Sequence, residues 1–354
     1  MKNRITDKLF SIIVSMLLLL GGCSEPAQPE GKTFYHSIYS FGTLIDVSIY
    51  GVDEKAAELA FDQLEADFNY MHVTWQPWQR SALARNNLLL ASREWFSDAP
   101  SVRPLILLGK KFTTLSDGLF NPAIGKLIKL WGFNKGEHET GIPPDDADIQ
   151  KLVKAHPSMN DIEIDGIRMR SRNADVFLDV GGFGKGYGIQ RTIDSLRAMG
   201  IENAIINAGG DLQAIGSHGK RPWRVAIRHP RQEKTVLAYI DLKNNESVFT
   251  SGDYERFYIY KGKRYHHILD PRTGYPATEA QSVTVIHTDP ALADAASTAL
   301  FVAGAKDWAR IAKKMGITYV LLIDASGKMH MTAQMQKRLD FKNTPTDTTI
   351  TTLQ

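Results

Sequence analysis

The sequence predicts an α+β domain, mainly antiparallel sheets with flanking helices, and three observations carry that prediction. Stretches of alternating apolar and polar residues and stretches of helical spacing succeed one another along the chain. The second half is dense in short strands separated by Gly-containing turns, which join antiparallel neighbours more readily than parallel ones. A chain of 354 residues with 43% hydrophobic composition can also enclose a sizeable core.

The elements follow in order. Leu44 to Tyr50 alternates as a half-buried strand, and Lys55 to Met71 continues with apolar residues at helical spacing. Trp75 to Arg80 breaks the pattern, Ser101 to Leu115 reads as a second helix, and Asp117 to Pro122 is a turn or loop. A strand over Asp175 to Asp179 is expected to meet the glycine cluster Gly181 to Gly188. That cluster runs into a helix carrying Ile189, Ile193, Leu196 and Met199. Ala204 to Asn207 and Leu212 to Ile215 flank a second glycine turn as strands, and Trp223 to Ile227 and Val236 to Leu242 extend the β-rich region. Arg256 to Tyr260 and Tyr265 to Leu269 form a hairpin about Lys261-Gly262-Lys263. Ser282 to His287 is a strand. Asp289 as N-cap, Pro290 in the first turn and Gly304 as C-cap then bracket a helix over Ala291 to Val302. Trp308 to Met315 and Tyr319 to Ile323 give a last helix and strand.

Charge and the chain start limit the class of protein. The 42 Lys and Arg against 39 Asp and Glu leave a net charge of +3, too little for a nucleic-acid binder. Met1 to Lys8 is basic, Phe10 to Leu20 is apolar and Gly21-Gly22 follows, as in a secretory leader too short for a permanent membrane span. Leu20-Gly21-Gly22-Cys23 resembles the bacterial lipobox, and Cys23 is the only cysteine, so neither an internal disulfide nor a thiolate site is open to the chain. The expected organisation is a leader over 1–22, a lipidated Cys23 and flexible tether over 23–33, a folded domain over 34–343 and a frayed Thr-rich tail over 344–354. The expected location is the periplasm, anchored to the inner membrane in preference to the outer.

Four constellations can carry chemistry. Leu178 to Gly188 (LDVGGFGKGYG) passes from a strand end through five glycines and Lys185 into a helix, a turn that can present backbone N–H groups to an anion. It fits neither GxxxxGK[ST] nor GxGxxG, and glycines also serve a plain tight crossing. Asn207 to Asp211 and Ser251 to Tyr254 are further small-residue turns; converging at one side of a sheet, the three would line a pocket for a phosphorylated ligand. Asp294 and Thr298 share one face of an otherwise apolar helix and offer two hard oxygens to Mg²⁺, although an acid near a helix N-terminus is also favoured by the dipole. His266 and His267 stand before the Pro271 to Gly274 turn, where a histidine can act as a general base. Trp75, Trp78 and Tyr187 are possible stacking faces or core aromatics.

Taken in order, FGT at Phe41 to Thr43, LDVGGFGKGYG, NAGGD at 207 to 211, TSGDYER at 250 to 256, HILDPRTGYP at 267 to 276 and the Asp294/Thr298 pair closely resemble the ApbE family of FAD:protein FMN transferases, many of them periplasmic lipoproteins. The resemblance implies an ApbE-like, T-fold-related catalytic domain. It also implies a Mg²⁺-dependent reaction in which FAD is split, AMP leaves, and FMN is esterified to a Thr of an acceptor protein. The implied acceptors are subunits of membrane redox complexes such as sodium-pumping NADH:quinone reductase. Carried onto this chain, the metal ligands would be Asp294, Thr298 and the Gly184 carbonyl, and His267 would be the base. The loop Gly181 to Tyr187 with Lys185 would hold the pyrophosphate, Asp211 and Ser251 would line the pocket, Ile268 would meet the flavin nucleotide through its backbone, and Phe41, Trp78, Leu119, Phe120 and Asn121 match segments that contact FAD. The family commonly has Met, Ala and Asp where Phe41, Gly184 and Asn121 stand. A lipid-anchored FAD carrier without turnover and an FAD pyrophosphatase are the alternatives that the same pocket would serve.

Overall fold

The computed structural model describes residues 31–134 and 141–353. The leader, Cys23 and most of the expected tether therefore lie outside the described residues. Among the described residues, no helix is long and apolar enough to cross a membrane.

A nine-stranded sheet organises the molecule. Its order across the sheet is Thr33–Ser40, Thr43–Tyr50, Ala204–Ala208, Asp211–Ile215, Ser247–Gly252, Ala280–His287, Tyr319–Asp324, Met329–Thr332 and Thr348–Thr351. Every pairing is antiparallel except the last. The expected α+β architecture is the one observed.

The described helices are α1 (Glu54–Trp75), α2 (Ala82–Ser92), α3 (Arg103–Leu115), α4 (Gly125–Leu130), α5 (Asp146–Ala155), α6 (Gly184–Ala198), α7 (Pro290–Met315) and α8 (Ala333–Gln336). Period-two alternation gives the sheet two different faces. Ile45, Val47, Ile49, Ile206, Phe249, Val283 and Val285 pack with α1, α6 and α7 into the main core. Leu212, Ala214, Val248, Ile286 and Leu321 point the other way, onto Trp223, Ile227, Leu237 and Ile240 of a small sheet formed by Arg224–Arg228, Val236–Asp241 and Asp340–Phe341. A third cluster, with Leu127, Trp131, Phe133, Ile149 and Leu269, lies beneath the hairpin Phe257–Tyr260/Lys263–His266.

Four sequence expectations need correction. Asp175 to Asp179 is not a strand: Phe177 makes only an isolated bridge to Ile124. The buried Asn87 side chain takes the place of a neighbouring strand, accepting from Leu178 N–H at 2.7 Å and donating to its carbonyl at 3.0 Å. The helix from Pro290 does not stop at Gly304; it kinks there, at φ 67°, and runs on to Met315. A side chain at Gly304 would meet Glu279 Cβ at 2.4 Å, so the bend wraps the helix over that residue. The Thr-rich end is not frayed: Thr348–Thr351 pairs in parallel with Met329–Thr332, which satisfies its backbone. Thr33, assigned to the tether, begins the edge strand, and Gly31 N–H already donates to the Tyr50 hydroxyl at 2.9 Å.

Candidate active site

The site gathers where the N-terminus of α6 meets the first turns of α7 at the end of the strand Ser247–Gly252. Glycine makes the meeting possible. A Cβ at Gly186 would lie 2.3 Å from the Pro290 carbonyl oxygen and 2.9 Å from Asp294 Cβ, so the helices could not approach this closely with any other residue there. The approach lets Gly186 N–H, one of the donors that a helix start leaves unpaired, give a 2.9 Å hydrogen bond to Asp294 Oδ2. No side chain caps α6 from its own N-cap residue, Phe183. Asp294 therefore does that work from a neighbouring helix.

Beside the Gly186 N–H, the polar groups near Asp294 are hydroxyls, the Lys185 ammonium and a second carboxylate, Asp211. Ser251 Oγ lies 2.8 Å from Ser297 Oγ and 3.1 Å from Thr298 Oγ1, and Ser297 donates to the Asp294 carbonyl at 2.8 Å. Lys185 reaches from α6 to an ion pair with the buried Asp211, whose other oxygen accepts from Thr250 N–H at 3.0 Å. Burial works against the Lys185 charge, but Asp211 and Asp294 outweigh it and hold the ammonium above its ordinary value. Burial pushes Asp294 well above the usual carboxylate range; nearby Lys185 opposes the shift without cancelling it.

A buried carboxylate with one hydrogen bond among the described residues is short of positive charge. The residues expected to share a cation with it are the Thr298 hydroxyl one turn on along α7 and the carbonyl of Gly184 in the first turn of α6. That is hard oxygen chemistry suited to Mg²⁺, which ordinarily completes its shell with water and phosphate. Among the described residues, no cluster of three or more His, Cys, Asp or Glu side chains forms a self-sufficient metal site. The residues fit an ion held jointly by the protein and a phosphorylated ligand.

His267 follows the small hairpin. Its backbone N–H and its Nδ1 both lie against the Arg256 carbonyl, at 3.1 and 3.2 Å. A carbonyl can only accept, so Nδ1 carries the proton and Nε2 keeps its lone pair. Burial, then Arg256 and His266, push this imidazole well below its ordinary value and keep it neutral. His266 is used differently: it is buried, with Nε2 2.7 Å from the Ala277 carbonyl and Nδ1 accepting from Ile268 N–H at 3.3 Å.

The other expected residues divide. Phe41, at positive φ, stacks on Trp75 with centroids 6.0 Å apart, and Trp75 lies 5.5 Å from Tyr187, so the Phe41 turn is joined through aromatic rings to the end of α1 and the first turn of α6. Trp78 stacks on Phe177 and hydrogen-bonds Asp179. Asp179 Oδ1 in turn accepts from Gly181 N–H at 2.7 Å. Leu119 and Phe120 are buried, and Phe120 packs edge-on against Phe112 and Phe183, so their side chains serve the core. Asn121 donates to the Pro157 carbonyl at 2.8 Å and accepts from Ala123 N–H at 3.1 Å. An aspartate could accept the second bond but could not donate the first. Ile268 has its N–H on His266 and its carbonyl on Ala277 N–H at 3.0 Å, so its backbone is engaged within the protein.

Sequence reasoning missed Asp179, Arg256 and Ser297. Asp179 stands two residues before Gly181, the spacing of an Asx turn, and Ser297 is three residues after Asp294 on the same helical face. Arg256 lay inside a quoted motif, but its role depends on a backbone carbonyl, which no sequence pattern exposes.

The model of the ApbE family matches residues 41–321. The chain belongs to the ApbE family. It is 40% identical over 327 residues to a Rhodobacter capsulatus protein named FAD:protein FMN transferase, covering 92% of this chain and 61% of that one. It is 32% identical over 277 residues to a Klebsiella pneumoniae protein of the same name, covering 78% of this chain and 84% of the relative. The chain thus spans less than two thirds of the first of these relatives and most of the second. Among solved structures, the ApbE protein of Thermotoga maritima superposes with a TM-score of 0.79 at 32% identity, covering 87% of this chain and 99% of that one. The apo flavinyl transferase ApbE of Pseudomonas stutzeri superposes with a TM-score of 0.75 at 27% identity, covering 89% and 98%.

Proposed function

We propose that this ApbE-family chain is an enzyme that transfers the FMN moiety of FAD to a threonine hydroxyl of an acceptor protein. The observation that carries the reading is an imidazole whose Nδ1 is taken by the Arg256 carbonyl, whose Nε2 has no hydrogen bond among the described residues, and which shares with the buried Asp294 one electrostatic neighbour, Lys185. The acceptor oxygen forms a bond to the FMN-side phosphorus of FAD, the bond from that phosphorus to the bridging oxygen breaks, and AMP leaves. The hydroxyl proton passes to His267 Nε2, a general-base role that typically contributes about 10²–10⁴ in rate. Lys185, held beside Asp211, and the backbone N–H groups of Gly182 and Lys185 orient the diphosphate; the other N–H groups of the Gly181 to Tyr187 turn are taken by Asp179, Asp294 and backbone carbonyls.

Asp294, Thr298 and the Gly184 carbonyl would hold Mg²⁺, which supplies charge neutralisation for the phosphate oxygens when bound. Phe41, Trp75, Tyr187 and Trp78 shape an aromatic border suited to a flavin or adenine ring. We further propose that the chain acts at the outer side of the cytoplasmic membrane, lipidated on Cys23, and that its acceptors are flavin-carrying subunits of membrane redox complexes.

The test is intact-mass analysis of a purified acceptor domain of a sodium-pumping NADH:quinone reductase after incubation with the full chain, FAD and Mg²⁺. A gain of one FMN less water, abolished by EDTA and by His267→Gln, supports the reading. Free FMN and AMP with unmodified acceptor would replace it with a pyrophosphatase, and bound, intact FAD with a carrier.

A further inference from the structure

Arg256 touches His267 directly through its carbonyl and indirectly through Phe133, and its guanidinium also faces Asp179. Its carbonyl receives both His267 N–H and Nδ1, at 3.1 and 3.2 Å. Its guanidinium donates to the Phe133 carbonyl at 3.2 Å, and the Phe133 ring stands edge-on to the imidazole with centroids 6.4 Å apart. The guanidinium also faces Asp179, the residue that caps the glycine turn through Gly181. One residue thus ties together the base, the aromatic wall behind it and the turn that presents N–H groups.

We propose that Arg256 is the positioning residue for His267: its carbonyl selects the Nδ1–H tautomer, and its guanidinium opposes a second positive charge on the ring while pinning Phe133 against it. The effect on rate rests on the transferase reading; the effect on the imidazole does not. The charged and titratable groups facing His267 are Arg256 at the start of the hairpin, His266 on its own strand and Lys185 on α6, with Asp179 behind Arg256. All three facing groups are cationic or can become so. Removing the guanidinium should raise the proton affinity of the ring, while the carbonyl of residue 256 stays to hold the tautomer.

The test is a pH titration of the full chain labelled with ¹⁵N-histidine, the His267 signals being assigned by their loss in His267→Gln. The wild type should show the Nδ1–H tautomer. Arg256→Gln should raise the titration midpoint of His267, and Arg256→Lys, which keeps the cation, should return it toward the wild type. In the transfer assay, Arg256→Gln should move the acid limb of the profile to higher pH, losing about tenfold in rate on the acid side, with a small change on the plateau. An Nε2–H tautomer in the wild type overturns the proposal whether or not the variants fold. So does an Arg256→Gln variant whose imidazole titrates as before, or whose rate falls by one factor at every pH. A wild type that transfers no flavin removes the transferase reading, and the imidazole titration still decides the role of Arg256.

Discussion

The two halves of the site are built on opposite plans. The Asp294 corner is made by two helices crossing at a glycine over the central sheet; Asp294 and Ser297 are buried, Ser251 and Thr298 half-buried, and side chains and helix N–H groups bond them together. The His267 corner is made by a two-stranded hairpin, a turn and one arginine; His267 is half-buried beside the buried His266 and is held through a backbone carbonyl. Under the proposed function, a group that holds a cation benefits from oxygen donors already in place, and a group that meets a protein substrate needs a defined lone pair. The contrast teaches that one fold can fix a carboxylate through many side chains and an imidazole through a single carbonyl.

Substitutions can break that contrast, and the largest effect is expected on the buried side. Asp294→Asn keeps the shape and removes the negative charge, so flavin transfer to the acceptor should fall on the order of a thousandfold, about 4 kcal/mol, while thermal unfolding changes little. A collapse of stability instead would mean that the carboxylate is chiefly a helix cap. On the hairpin side, His267→Gln should cost about a hundredfold, the lower end for a general base, and should flatten the acid limb of the pH profile.

The sign follows from the lowered proton affinity of His267. The folded state binds fewer protons than the unfolded chain below pH 6.5, so this residue's contribution to stability is present above 6.5 and is lost as pH falls through its lowered folded value. Urea unfolding of the wild type and His267→Gln across that range should converge at high pH and diverge at low pH.

Smaller again is Gly186→Ala. Its Cβ would press on the Pro290 carbonyl at 2.3 Å, a backbone atom that cannot rotate away, and a loss of about 2 kcal/mol in urea unfolding is expected. Gly184→Ala should be nearly silent, within about 0.5 kcal/mol, because its Cβ would meet only Val180 at an ordinary 3.4 Å and the helix would gain a better former. Equal effects at these two positions would show that α6 and α7 can part at Gly186 at no cost, against a crossing held tight there.

The fold class was legible because residue type survives in the strands: Thr43–Tyr50 alternates and Ala280–His287 is buried as its apolar residues demand, whereas the central strand Ser247–Gly252 was hidden, its Ser251-Gly252 end reading as a turn. The Asp294 corner was legible for a similar reason, since spacing on one helix puts Asp294 and Thr298 on one face. What stayed hidden depends on long-range replacement of local signals. Asn87, ninety-one positions from Leu178, stands in for a strand neighbour, and nothing in Asp175 to Asp179 announces it. Gly304 carries the mark of a C-cap, yet Glu279 on another segment turns it into a bend. The tail gains its strand from a neighbour contributed by the Met329–Thr332 segment. Arg256 escaped because the atom that matters is common to every residue.

The hydroxyls of Ser251, Ser297 and Thr298 meet at Ser251, at 2.8 and 3.1 Å, and Ser297 spends its proton on the Asp294 carbonyl at 2.8 Å. A hydroxyl has one proton to give, so Ser251 donates to Ser297 and Thr298 donates to Ser251. The three form a one-way relay whose direction is set by a backbone carbonyl. Its far end is the Thr298 oxygen, which gives its proton inward and keeps its lone pairs. A corner wired in that direction is set in advance to receive a cation, and the surrounding helices need not shift to do so.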